Sequence, residues 1–267
     1  MARWAALVRD RAGERPVALL DGGNFAFDRK TNFQETKERY LFRGMDLMDY
    51  DAVGVGGNEI ALGRERLLET ADRRNIPLTT ANIIDRRGDG TLAEPFRVIE
   101  VGGRWSILGR RDAVRIGVFS IAMQTEIYDV DDRVRNLYTV TRPEIAALEA
   151  VSALRGHGCH VIVAMSRLGW MRSRQLAGNV PGIDVIVNSP RSHNGTHMER
   201  IENTFVVDTG IHRASFTEII LAFEGDSLRA KAVDQGRVLL DYEGYEPLRE
   251  LEKDFGDEMR SLGATGY

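Results

Sequence analysis

Short apolar runs alternate with stretches of helical spacing along most of this chain. Runs of β-branched and aliphatic residues, each closed by small or polar positions, predict strands at 16–21, 52–55, 76–83, 96–101, 114–121, 160–166, 183–189, 204–210 and 216–223. Apolar positions three and four apart predict helices near 3–13, 34–49, 63–75, 143–156 and 170–178. The fourth of these starts with Thr141 upstream, Pro143 in its first turn and Glu144 near the positive end of its dipole. Gly156 and Gly158 then supply its stop. Alternation of this kind favours a layered α/β fold. Residues 1–246 read as one domain, and 247–267 as a charged, amphipathic helical tail.

Four strand ends share one design, in which the apolar run gives way at once to small or polar residues: "ALLDGGNF" (18–25), "GVGGNEIALG" (54–63), "VIVAMSRLG" (161–169) and "DVIVNSPRSHN" (184–194). Ligands of open α/β sheets bind at this carboxyl edge, so four such ends predict one site assembled from distant segments. The connection 122–142 is long and charged; such loops serve as lids or binding loops, and a solvated surface is the expected role here.

Composition narrows the options. The 267 residues carry a net charge of −4, which leaves no global basic field for nucleic acid or an anionic membrane, so specific anion binding would need local arginines. No apolar run reaches the ~18 residues of a membrane span. The chain opens without the basic and apolar regions of a secretion signal, which makes it cytoplasmic as given, or periplasmic if a longer gene carries an export signal. A lone cysteine, Cys159, excludes an internal disulfide and a Cys-rich zinc site, and burial is its expected role. There is neither a Walker-type phosphate loop nor a Gly-x-Ser-x-Gly elbow.

The four strand ends, in this order, resemble the motifs of the calcineurin-like metallophosphoesterases, and among them the 5′-nucleotidase type. That family runs from an Asp-x-His strand to Gly-Asp, Gly-Asn-His-Glu, Ser-His-Leu-Gly and Gly-His-x-His. The intervening "YDAVGVG", "IPLTTANI", "FRVIEVGG", "VRIGVFSI", "VPGIDVIV" and "FVVDTG" read like its connecting strands, so the match runs from about residue 2 to 240. The resemblance implies a four-layer α/β/β/α sandwich, two mixed sheets flanked by helices. It also implies a site for two divalent metals (manganese, zinc or similar) ~4 Å apart that clamp a phosphate and activate a bridging water.

Most metal positions of that pattern are substituted. Asn24 stands for the bridging aspartate, Gly57 for a ligand asparagine, Asn58 for the catalytic histidine, Arg167 for a ligand histidine and Arg191 for the first histidine of the last motif. His193 keeps the second, Glu59 keeps the frame of its turn, and the Asp-x-His strand would lie ahead of Met1. The resemblance therefore implies a degenerate site with no metal cofactor and little or no hydrolysis, whose partner is a phosphate-containing small molecule or a protein. The alternative is an active metal-dependent phosphomonoesterase or nucleotidase with a rearranged site using Glu59 and His193. Arg167 and Arg191, with His193, Asn24 and Asn58, are the candidate anion-binding residues, because a guanidinium grips phosphate bidentately without an ion. The opposing reading is that the arginines pair with Glu59 or backbone carbonyls and plug a vacated pocket.

Other conspicuous residues carry less. His193 and His197 flank Asn194-Gly195, a turn signal that argues against a helical zinc pair, and Asn194-Gly195-Thr196 fits a glycosylation acceptor only in a secreted eukaryotic setting. His157 and His160 are expected to be structural. Arg110 and Arg111 lie in a basic turn expected to be solvent-exposed.

Overall fold

The computed structural model describes residues 1–26, 32–88, 90–102, 105–106, 109–110, 113–127, 130–189, 196–209, 217–224, 227–234 and 243–264. The helices are α1 (Ala2–Glu14), α2 (Gln34–Met48), α3 (Gly57–Ala61), α4 (Arg64–Arg73), α5 (Asp132–Arg135), α6 (Pro143–Gly156), α7 (Trp170–Asn179) and α8 (Glu246–Ser261). The strands of the first half are β1 (Leu20–Asp21), β2 (Ala52–Gly54), β3 (Leu78–Thr79), β4 (Ile83–Asp85), β5 (Gly90–Thr91), β6 (Arg97–Gly102), β7 (Trp105–Ser106), β8 (Gly109–Arg110) and β9 (Ala113–Ile121). Those of the second half are β10 (Tyr138–Val140), β11 (Val161–Ser166), β12 (Val185–Asn188), β13 (His197–Ile201), β14 (Thr204–Asp208), β15 (Thr217–Glu224) and β16 (Ser227–Asp234).

The central layer is a six-stranded mixed sheet in the order β13-β14-β12-β11-β9-β6. Its middle strands pair in parallel, β11 with β9 and β12, and β12 with β14. Every residue of β11, "VIVAMS", is buried, as a strand covered on both faces requires. One face carries α6 and α7 through Ala147, Ala150, Leu154 and Leu176, packed on Phe119, Ile162 and Ile186. The Ala-rich face of α6 brings that helix close, and Gly117 sits directly under Leu154.

The opposite face packs Val118, Val161, Val163, Met165 and Val185 against a second β layer. That layer consists of the parallel sheet β1-β2-β3 and the antiparallel hairpin β15-β16, through Leu20, Ala52, Ile219 and Leu228. Helices α1 and α8 close the outside together with α2 and α4, burying Ala5, Met48, Leu248 and Leu251 in one cluster and Phe42, Met45 and Leu67 in another. The layering is thus the α/β/β/α sandwich that the resemblance implied. The run 76–83, expected as one strand, divides: Leu78–Thr79 joins β2, whereas Ile83–Asp85 pairs with β5 and β10. Thr80, Ala81 and Asn82 form the break, with Thr80 N–H bonded to the Glu94 carbonyl, and let the chain pass from one sheet to another.

Candidate functional site

Strands β1, β2 and β11 end side by side, and the turns that leave them meet in one buried polar cluster. After β1 the chain turns through Gly23 and Asn24, both left-handed at φ 87° and 60°. Glycine adopts this conformation without cost and asparagine tolerates it. After β2 it enters α3 through Gly56-Gly57. Side chains are barred at both glycines: a Cβ on Gly56 would lie 2.4 Å from Asn24 Oδ1 and 2.9 Å from Arg167 Nε, and one on Gly57 would lie 2.3 Å from the Glu126 carbonyl.

Glu59 ties the two turns together. Its Oε2 accepts from Gly56 N–H and Asn24 N–H, and its Oε1 from Ala26 N–H, each at 2.8 Å. The bond from Gly56 is the backward reach of an acid at the third helical position. Glu59 is fully buried. Burial pushes its carboxyl upward, and the three N–H donors pull it back. Asn24 Oδ1 accepts from Asn58 N–H at 3.0 Å, and Asn58 Nδ2 donates to the Ala26 carbonyl at 2.8 Å.

Arg167 enters from the end of β11. Its Nη1 donates to the Gly23 carbonyl at 3.2 Å and its Nη2 to Glu126 Oε1 at 3.1 Å. The residue is 7% exposed, and its Nε is buried with no hydrogen-bond partner among the described residues. The second oxygen of Glu126, Oε2, accepts from Gly57 N–H at 3.1 Å and Asn24 Nδ2 at 3.2 Å. Arg167 thus has a backbone carbonyl and an acid as partners, and the acid is Glu126 rather than Glu59.

Glu126 is the residue that sequence reasoning missed. It belongs to a 3₁₀ turn, Gln124–Ile127, inside the 122–142 connection. Ile127 is buried, while Gln124 and Thr125 face solvent. Asp21 was also overlooked: its Oδ1 accepts from Gly23 N–H at 2.8 Å, and burial raises its carboxyl above the usual range, with Gly23 and Arg167 opposing. A second hydrogen-bonded relay lies beneath β11 and β12. Leu168 N–H donates to Ser166 Oγ, Ser166 bonds Ser173 at 2.8 Å, Ser173 donates to Asn188 Oδ1 at 3.0 Å, and Asn188 Nδ2 reaches Asp208 Oδ2 at 3.2 Å.

Asn24, Gly57, Asn58 and Arg167 therefore converge, whereas Arg191 and His193 lie outside the described residues, as do Arg111, Asn194 and Gly195. His157 stacks near Phe96 at 5.6 Å and His160 Nδ1 accepts from Arg115 N–H, while His197 packs edge-on to Trp170 at 5.1 Å. Cys159 is buried, which raises its thiol. Two surface grooves of about 520 Å³ each lie elsewhere, one between α2 and α4 and one beside β3 and residues 90–97.

No family model matches the chain. A snake venom 5′-nucleotidase from Crotalus adamanteus is 27% identical over 198 residues, covering 70% of this chain and 31% of that protein. A solved sulfate thiohydrolase SoxB from Thermus thermophilus superimposes with a TM-score of 0.80 at 19% identity, over 97% of this chain and 47% of the other. A 5′-nucleotidase precursor from the same species does so at 0.76 and 19%, over 98% and 53%. The chain is thus similar in sequence to 5′-nucleotidases and has the fold of the calcineurin-like phosphoesterases. It spans about a third of the length of the curated 5′-nucleotidase it matches.

Calcineurin-like phosphoesterases are metal-dependent, and two cations in this place would need a bridging carboxylate with imidazoles or amide oxygens around it. The described residues do not fit that need. Both oxygens of Glu59 are committed to backbone N–H groups, Asn24 turns its amide oxygen onto Asn58, and Glu126 is paired with the Arg167 guanidinium. No group of three or more His, Cys, Asp or Glu that could hold a metal ion occurs among the described residues.

Proposed function

We propose that this phosphoesterase-fold chain is a binding protein with little or no hydrolytic turnover, taking an anionic, phosphate-containing ligand at the strand-edge cluster without resident metals. The observation that carries this reading is the Arg167 guanidinium, seated at a position that reads as a ligand histidine in the family and paired with Glu126 at 3.1 Å. A fixed cation beside two divalent ions would be repelled by both. Where the family pattern has a carboxylate and imidazoles, this cluster has amides and one arginine. Their shared preference is for an oxyanion.

Metal analysis of the purified protein, with phosphodiester and nucleoside-monophosphate hydrolysis assayed in added manganese and zinc, tests the proposal. The expected result is substoichiometric metal and turnover at the level of buffer. Two tightly held metals per chain together with turnover would overturn it.

A further inference from the structure

We infer that the Glu126 carboxylate is an exchangeable internal occupant of an oxyanion site, and that a tetrahedral oxyanion, free or esterified phosphate, takes its place when the Gln124–Ile127 turn lifts. This rests on the metal-free reading above and adds to it what holds the site shut.

The donors define the site. Three N–H groups hold the Glu126 carboxylate, Arg167 Nη2, Gly57 N and Asn24 Nδ2, and Arg167 Nε lies next to Nη2 on the same edge of the guanidinium. The orientation of the Asn24 amide is fixed by Asn58 N–H on its oxygen, so its NH₂ must face inward. A carboxylate has two oxygens to offer. Glu126 spends one on Nη2 and the other on both Gly57 and Asn24, so Nε, the second donor of the same guanidinium edge, goes without a partner among the described residues although buried. The paired Nε and Nη2 groups form the fork that grips two oxygens of one anion. Glu126 engages only half of it. A phosphoryl group carries three or four oxygens in a tetrahedral array and has an acceptor for each donor, Nε included.

The occupant is also removable. It hangs from a turn whose Gln124 and Thr125 are exposed, and the turn reaches the site only because position 57 lacks a side chain. Bound and shut states differ by one short segment, so ligand affinity is lowered by the fraction of molecules in which Glu126 is seated.

The test is calorimetric titration of the full chain in excess EDTA with inorganic phosphate, phenyl phosphate and, as a planar control, acetate. Glu126→Gln removes the competing charge and should bind phosphate or its ester roughly tenfold tighter than the unaltered protein or more. Adding Arg167→Gln should abolish that binding. Should Glu126→Gln fail to fold, Gly57→Ala replaces it, since it expels the turn with every charge kept. The tighter of the two phosphates names the ligand's form, and either tightening supports the inference. Equal phosphate affinity with and without the substitution would overturn it, as would acetate binding as tightly as phosphate. Because chelator is present throughout, this failure is distinct from that of the metal-free reading, which falls only if metals and turnover are found.

Discussion

Glu59 and Glu126 each collect three hydrogen bonds in the same cluster, but from opposite kinds of donor. The floor, around Glu59, is held by main-chain N–H groups of residues 24, 26 and 56. Those donors exist whatever the side chains are, so the floor keeps its shape under substitution of its neighbours. The mouth, around Glu126, draws two of its three donors from the side chains of Asn24 and Arg167. There, identity decides everything. A scaffold can thus keep a turn while its cargo changes.

The sharpest way to break that contrast is Glu59→Ala. It leaves three N–H groups, two buried and one part-buried, without their acceptor at about 1–3 kcal/mol each, so denaturant unfolding should show a loss of at least about 3 kcal/mol or no folded protein. Gly57→Ala comes next, at about 1–3 kcal/mol for an overfilled site. Spectra of a ¹⁵N-labelled sample should show shifts concentrated on residues 123–127 while the amides of Asn24 and Ala26 hold still. Glu126→Gln should cost less, about 1–2 kcal/mol in thermal or urea unfolding, because the side chain is 13% exposed and the amide keeps one acceptor. A loss as large as that of Glu59→Ala would erase the distinction between floor and mouth.

The smallest effect concerns pH. Asp21 is raised by burial in the folded state, so the native protein holds a proton that the unfolded chain releases near its ordinary value of about 3.9. Its contribution is complete below that value and declines as pH rises through the native one. Asp21→Asn keeps the acceptor for Gly23 and removes the titration. Stability of the unaltered protein relative to the variant should fall as pH climbs from about 4, read from unfolding curves at stepped pH.

Much of the fold was legible in the sequence. Helix α6 was expected at 143–156 and lies there, and α2 and α4 differ by only a few terminal residues, because apolar periodicity survives any change in the site. Besides the two-residue β5, β7 and β8, strands β10, β13 and β16 were missed. Of these last three, the first two are short and half-polar, and β16 carries charged Arg229 and Lys231 on a ribbon with one solvated face. Asn24, Asn58 and Arg167 could be placed through the motif resemblance, but their partner could not. Glu126 sits 102 residues from Asn24, in a charged connection without periodicity or motif. The available signal was negative: two adjacent glycines at a strand end imply that something large approaches, and Gly57 in particular left a space for the turn that now fills it.

That same turn restricts how the chain can change. Restoring a side chain at position 57 collides with the Glu126 carbonyl at 2.3 Å, and Asn24→Asp would set two carboxylates face to face where an amide now bridges 3.2 Å. Both routes back toward a metal-ligating pattern meet one gatekeeper far away along the polypeptide. Mutational recovery of that pattern would have to begin in the 122–142 connection, and single changes made first at the glycine or the asparagine would be selected against before any benefit arose.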